Sequence, residues 1–313
     1  MENIRSGGFM KNLKNFSYVL GLFIALGIIS TIPWIIGSKS DSGAKIAVLE
    51  GQKDENAVLG TVQGICSEGS CVEDTLKQEL AQEQDRLIEK IKETYPLTEE
   101  KWNNALFQID LAIAQDTLTT DKPIVKNNPK DPAIIKKARE ILASYNIDPA
   151  RVTIKIINDP KTKTNAASYQ GFVDNAVVHD LEINIPRISE HAPEIQEAII
   201  RHEIMHFLNY DPLTRAYIEV MLLENGIKAK EFMKEPAIQN LYKHQEFRAD
   251  LLAACHGMST AQALQKDFAH YIKTYPQDQV AENCITHPSD AQRLQAVTQL
   301  VGYLEAESKI KLA

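Results

Sequence analysis

His202-Glu203-Ile204-Met205-His206 places two imidazoles four residues apart with a carboxylate between them. Residues four apart share a helix face, so both rings can meet one cation while the glutamate stands beside it. Ile195 and Ile199 fall on the same stripe, so the face that should enter the core carries imidazoles in place of aliphatic side chains. A metal ion gives those rings a reason to be buried. Zinc suits the donors because it takes imidazole nitrogen and carboxylate oxygen in tetrahedral geometry, and a catalytic site keeps one position for water.

A third protein ligand is then needed, and Glu246 in Glu246-Phe247-Arg248-Ala249-Asp250 is the candidate, on a separate expected helix. The spacing sets two carboxylates on one helix face. Glu246 would bind the metal and Asp250 would accept the outer N–H of a ligand histidine, with Ala249 allowing close helix approach. The plainer reading is a solvated face on which Glu246 and Asp250 pair with Lys243 or Arg248. His287-Pro288 followed by Arg293 is a third element. His287 could stabilise the oxyanion of a tetrahedral intermediate, reach the metal in a resting state, or be a helix-entry histidine without a chemical task, and Arg293 could anchor the loop or polarise substrate. His179, His191, His244, His256 and His270 have no partner at ligand spacing and read as surface or capping residues.

The elements that must hold these groups follow from periodicity. Val152, Ile154 and Ile156, and later Leu181, Ile183 and Ile185, alternate with polar residues as half-buried strands do, and Asp174-Asn175 could turn a hairpin. Helices are expected from Pro193 to about Tyr210, Leu213 to Glu224, Ala237 to about His256, Ser259 to Tyr275 and Ser289 to about Glu305, with Gly226, Gly257, Pro276 and Pro288 between them. Asp131-Pro132 reads as a helix start, Asp as cap and Pro in the first turn. The class is α+β: a mainly helical domain over 130–305 with a small sheet. Leu76, Leu80, Leu87 and Ile91, then Trp102, Leu106, Ile109 and Ile113, mark two amphipathic helices, taken as a helical accessory segment at 72–125. Residues 306–313 form a tail.

Upstream, Tyr18 to Gly37 is an uncharged, mostly apolar run of bilayer-spanning length. Arg5, Lys11 and Lys14 precede it, so residues 1–17 are expected in the cytoplasm, 18–37 as a transmembrane anchor, 38–71 as a linker, and the rest outside the cytoplasm. A cleaved signal peptide, leaving a secreted or periplasmic protein, is the competing reading, and a buried core helix a third. A formal net charge of −8 without a basic patch argues against nucleic acid as a partner. Cys66, Cys71, Cys255 and Cys284 lack the C-x-x-C spacing of zinc or redox sites; Cys66–Cys71 and Cys255–Cys284 disulfides are conceivable.

The three motifs in this order resemble the family of membrane-associated zinc metallopeptidases that contains the CAAX prenyl proteases and the HtpX-type heat-shock proteases. The resemblance covers about Asp131 to Leu304 and includes Asn165-Ala166 ahead of a strand. It implies a gluzincin fold with one Zn2+ per chain on His202, His206 and Glu246, Glu203 as base, and an edge strand within Ala176 to Ile185 that holds substrate backbone by strand addition. The chain departs from that pattern in its single apolar run, which argues against an intramembrane chamber and a CAAX substrate, and in Phe207-Leu208-Asn209-Tyr210-Asp211 after the second histidine.

The expected activity is endopeptidase cleavage of protein or peptide substrates, with Glu203 as general base, in extracytoplasmic processing or quality control. Two alternatives stand beside it. One is a membrane-tethered binding or chaperone-like module that uses the groove without turnover. The other is a latent protease covered by His287 or by the Gly226 to Pro236 segment.

Overall fold

The computed structural model describes residues 72–126, 128–162, 164–173, 176–276 and 286–311. The apolar run Tyr18 to Gly37, the Asp174-Asn175 turn, and Cys66, Cys71 and Cys284 lie outside them. Among the described residues no helix is long and apolar enough to cross a membrane.

In chain order the elements are α1 (Val72–Thr94), α2 (Glu99–Gln115), α3 (Ala133–Ser144), β1 (Val152–Ile157), β2 (Ala166–Val173), β3 (Ala176–Asn184), α4 (Ile185–Ile188), α5 (Pro193–Leu208), α6 (Asp211–Glu224), α7 (Ala229–Phe232), α8 (Pro236–Cys255), α9 (Met258–Thr274) and α10 (Asp290–Lys311). The class is therefore α+β, mainly helical with a three-stranded sheet. The boundaries of the helices expected from Pro193 onward follow the apolar periodicity to within a residue or two, save for the longer α10, with Gly226, Gly257 and Pro276 close behind the ends of α6, α8 and α9. Asp131 does not cap α3, where Pro132 is the N-cap without a side-chain bond; its carboxylate pairs with Arg139.

The sheet order is β1-β3-β2, with β1 parallel and β2 antiparallel to β3. This corrects the expected edge strand. The strand within Ala176 to Ile185 is central and its backbone is paired on both sides, so it cannot accept another strand; β2 is an edge. Alternation reports one buried face and says nothing about the number of neighbours, which is why the pattern at Leu181 and Ile183 could not separate centre from edge.

The helices at 72–115 are not set apart from the rest. Leu76 and Leu80 of α1 share a core with Leu142, Leu181, Ile204, Phe207, Leu251 and Leu300. Leu87, Ile91 and Trp102 share a second core with Ile218, Leu222, Phe232 and Leu241. Phe232 fixes the Gly226 to Pro236 segment in that second core. Two histidines expected at the surface are inside. His244 is 2% exposed and its Nε2 lies 2.8 Å from the Leu80 carbonyl oxygen, joining α8 to α1. Burial, with Arg248 nearby, pushes this imidazole down to about 4, so it serves as a neutral donor. His179 on β3 is also 2% exposed.

Candidate metal centre

α5 is the helix on which both motif histidines sit, and it crosses α8 so that the buried stripes of the two meet. Ile199, His202 and His206 face Glu246, Ala249 and Asp250, all 9% exposed or less. Ala249 at the crossing lets the backbones approach. Glu246 and Asp250 therefore leave the solvated-face reading: they are 4% and 0% exposed.

The donor atoms converge. His202 Nε2 lies 3.1 Å from His206 Nε2 and 3.4 Å from Glu246 Oε2, and His206 Nε2 lies 3.6 Å from Glu246 Oε1. The two rings stand perpendicular. Among the described residues these three form the group that could hold a metal ion.

Each ring is held from behind by a carboxylate. Asp250 Oδ1 lies 2.8 Å from His202 Nδ1, an ion-pair contact off the hydrogen-bond axis, and Asp211 Oδ2 lies 2.8 Å from His206 Nδ1. A proton kept on Nδ1 by a carboxylate leaves the Nε2 lone pair free to face a cation. The carboxylates are in turn paired with guanidinium groups. Arg293 grips Asp250 with two bonds of 2.7 Å, Arg248 bonds Asp211, and Arg215 Nη2 reaches Glu246 Oε1 at 3.1 Å. Three buried carboxylates thus have one arginine each, and the desolvation that each charge suffers is offset by a partner.

The electrostatics invite positive charge at the convergence point. Burial pushes the His202 imidazole down, but Asp250 outweighs it and lifts the ring to about 10. Burial likewise opposes the charged form of His206, and Glu246 with Asp211 lifts it. Burial would raise Glu246, yet His287, His206 and His202 hold its carboxyl well below the usual range. Asp250 and Asp211 are lowered against their burial chiefly by Arg293 and Arg248. A site that favours protons on its rings in this way favours a metal ion for the same reason.

Glu203 follows His202 on α5, is part-exposed and is not among the converging donors; its Oε2 accepts a 2.8 Å hydrogen bond from Ser168 Oγ on β2. His287 stands beside the triad, Nε2 3.6 Å from Glu246 Oε1, with its side chain 59% exposed and Thr286 Oγ1 2.9 Å from its Nδ1. All seven residues singled out by motif are therefore placed at or around one centre, with Arg293 acting through Asp250. Asp211, Arg215, Arg248 and Ser168 were missed. For Asp211 a signal was present, an acid followed by Pro212 five residues after His206, where a helix must end and another begin.

Comparison with protein-family models, curated proteins and solved structures gave no match.

Proposed function

We propose that the chain is a zinc-dependent endopeptidase of the gluzincin kind, with one Zn2+ held by His202, His206 and Glu246. The observation that carries this reading is the donor spacing. A tetrahedral ion with bonds of about 2.0–2.1 Å keeps its ligands roughly 3.3 Å apart; the two Nε2 atoms are 3.1 Å apart, one Glu246 oxygen is 3.4 Å from His202 and the other 3.6 Å from His206, and one donor atom from each of the three residues lies within 4.8 Å of the others. Two imidazoles and one carboxylate leave a fourth position open, as a hydrolytic zinc site requires.

Bound there, zinc would acidify a water and polarise a peptide carbonyl. Glu203 would serve as the base that accepts a proton from the attacking water and returns it to the leaving amine nitrogen. Ser168 holds the Glu203 carboxylate in one rotamer while it waits. His287, with its exposed edge beside Glu246, is suited to donate a hydrogen bond to the developing oxyanion. Substrate backbone would add to β2, the edge strand that carries Ser168, with protein or peptide chains as the substrate class. Placement outside the cytoplasm behind an anchor at Tyr18 to Gly37 belongs to the same proposal. A binding module without turnover would have no use for a carboxylate next to the first ligand, and Glu203 is present there with a hydrogen bond from Ser168.

The test is zinc content and casein cleavage of the full chain, wild type against Glu203→Gln. One zinc per chain in both, with chelator-sensitive cleavage in the wild type alone, is the expected result. Zinc in both without cleavage in either would favour the binding or latent alternative, and absence of zinc would end the proposal.

A further inference from the structure

A second buried polar cluster lies outside the metal triad and has no part in the hydrolysis described above. His179 on β3 and Gln170 on β2 are directly opposite in the sheet register, and both side chains are buried. Gln170 Nε2 lies 3.1 Å from His179 Nδ1 and donates to the Phe207 carbonyl oxygen at 3.1 Å. Because a carbonyl can only accept, this atom is the amide nitrogen, and it donates its other hydrogen to His179 Nδ1. His179 therefore carries its proton on Nε2 and donates it to Asp116 Oδ2, 2.9 Å away at the C-terminal end of α2. The Tyr210 hydroxyl lies beside the same carboxylate, and burial together with that charge raises the phenol above its usual value. The His179 ring meets the fully buried Phe207 ring edge to face at 5.6 Å between centroids.

These contacts end on both sides of one turn. Phe207 belongs to the last turn of α5, and Tyr210 is the second of the two residues between α5 and α6, in the left-handed region at φ 53° and ψ 33°. That conformation is unfavourable for a bulky side chain and persists only where surrounding contacts impose it. The next residue is Asp211, which meets His206 Nδ1. Aliphatic side chains would fill the underside of the sheet at lower cost than this group, in which Gln170 Oε1 is buried without a partner. The polar cluster is thus better explained by what it holds than by what it adds to stability.

We propose that Asp116, His179, Gln170 and Tyr210 are positioning residues of the metal centre, clamping residues 207–210 so that Asp211 is delivered to His206. The proposal rests on the metal-centre reading. It places control of His206 in the sheet and in α2, whereas Asp250 on α8 meets His202, so that each ring is oriented from a different part of the fold.

The test is a double-mutant cycle on the full chain, reading zinc affinity by competition with a chromophoric chelator and site geometry by the absorption of the cobalt(II) form. His179→Leu and Tyr210→Phe should each weaken zinc about 10–100-fold, as loss of an outer partner of a metal ligand does, and alter the cobalt spectrum. In an Asp211→Asn background the same changes should cost little more, since the residue through which they act is already compromised. Ile88→Ala in the second core serves as a control that loses stability while leaving zinc affinity and the cobalt spectrum as in the wild type. If His179→Leu does not fold, Tyr210→Phe decides by the same criteria. Zinc affinity within twofold of wild type in a folded variant, or additive losses in the double variants, would overturn the proposal while leaving the metal centre standing. A wild type that binds neither zinc nor cobalt would remove the metal centre itself, and the clamp with it.

Discussion

Asp211 Oδ2 stands 2.8 Å from His206 Nδ1, on the opposite edge of the ring from the Nε2 that faces Glu246. The carboxylate is completely buried and is also bonded by Arg248. Replacing it with Asn keeps an oxygen acceptor but removes the charge that holds the ring and neutralises the guanidinium. Asp211→Asn should therefore weaken zinc about 10–100-fold and, by leaving Arg248 without its counter-charge, destabilise the fold by about 3–5 kcal/mol. Chelator competition and urea unfolding measure the two effects separately, and unchanged zinc affinity would remove Asp211 from the centre.

Arg293 and Asp250 form the corresponding pair behind His202. The two parallel bonds of 2.7 Å depend on the planar fork of the guanidinium. Arg293→Lys should fail to restore what Arg293→Ala loses, since an ammonium cannot reproduce that geometry. Both variants are expected to bind zinc more weakly and to unfold at lower urea concentration; a lysine variant indistinguishable from wild type would contradict the bidentate role.

Ser168 hydrogen-bonds Glu203. Ser168→Ala should leave one zinc per chain and reduce casein turnover by about 2–10-fold, the worth of one ordinary hydrogen bond. The loss should appear in kcat more than in KM. A drop in zinc content would show that the serine does something other than orient the base.

Asp267 on α9 is 6% exposed, with its Oδ1 3.3 Å from His191 Nδ1. Burial raises its carboxyl to about 7; Arg293 opposes this, and Asp290 and Asp250 reinforce it. A carboxyl whose folded value exceeds its unfolded value contributes fully below about pH 4, and that contribution is lost as pH rises through about 7. Asp267→Asn should thus be nearly neutral at or below about pH 4 and stabilising at pH 8, by on the order of 1–4 kcal/mol. Urea unfolding at both pH values checks the sign, and a difference in the reverse direction would mean that the His191 pairing dominates.

Ile91 of α1 is completely buried in the second core. Ile91→Ala should cost about 2–5 kcal/mol, and unfolding followed by Trp102 fluorescence and by zinc release should shift together. Separate transitions would show that residues 72–125 unfold apart from the rest.

Much of the centre is legible in the chain because it is written within single helical turns. His202 and His206, or Glu246 and Asp250, are four residues apart, and a helix of 3.6 residues per turn sets each pair on one face wherever that helix goes. Apolar stripes likewise locate the helices and strands, since each element must bury one side. The partners that charge and orient the centre are another matter. Arg293 meets Asp250 and Arg248 meets Asp211 across 43 and 37 residues of sequence, and His179 meets Asp116 across 63. Whether a strand is central or at an edge, and whether a histidine is inside or at the surface, depends on which elements close around it. Local periodicity therefore marked out the candidate ligands, the candidate base and the α+β class, and tertiary packing alone decided which charges lie behind each candidate ligand and that β2, not β3, is the edge.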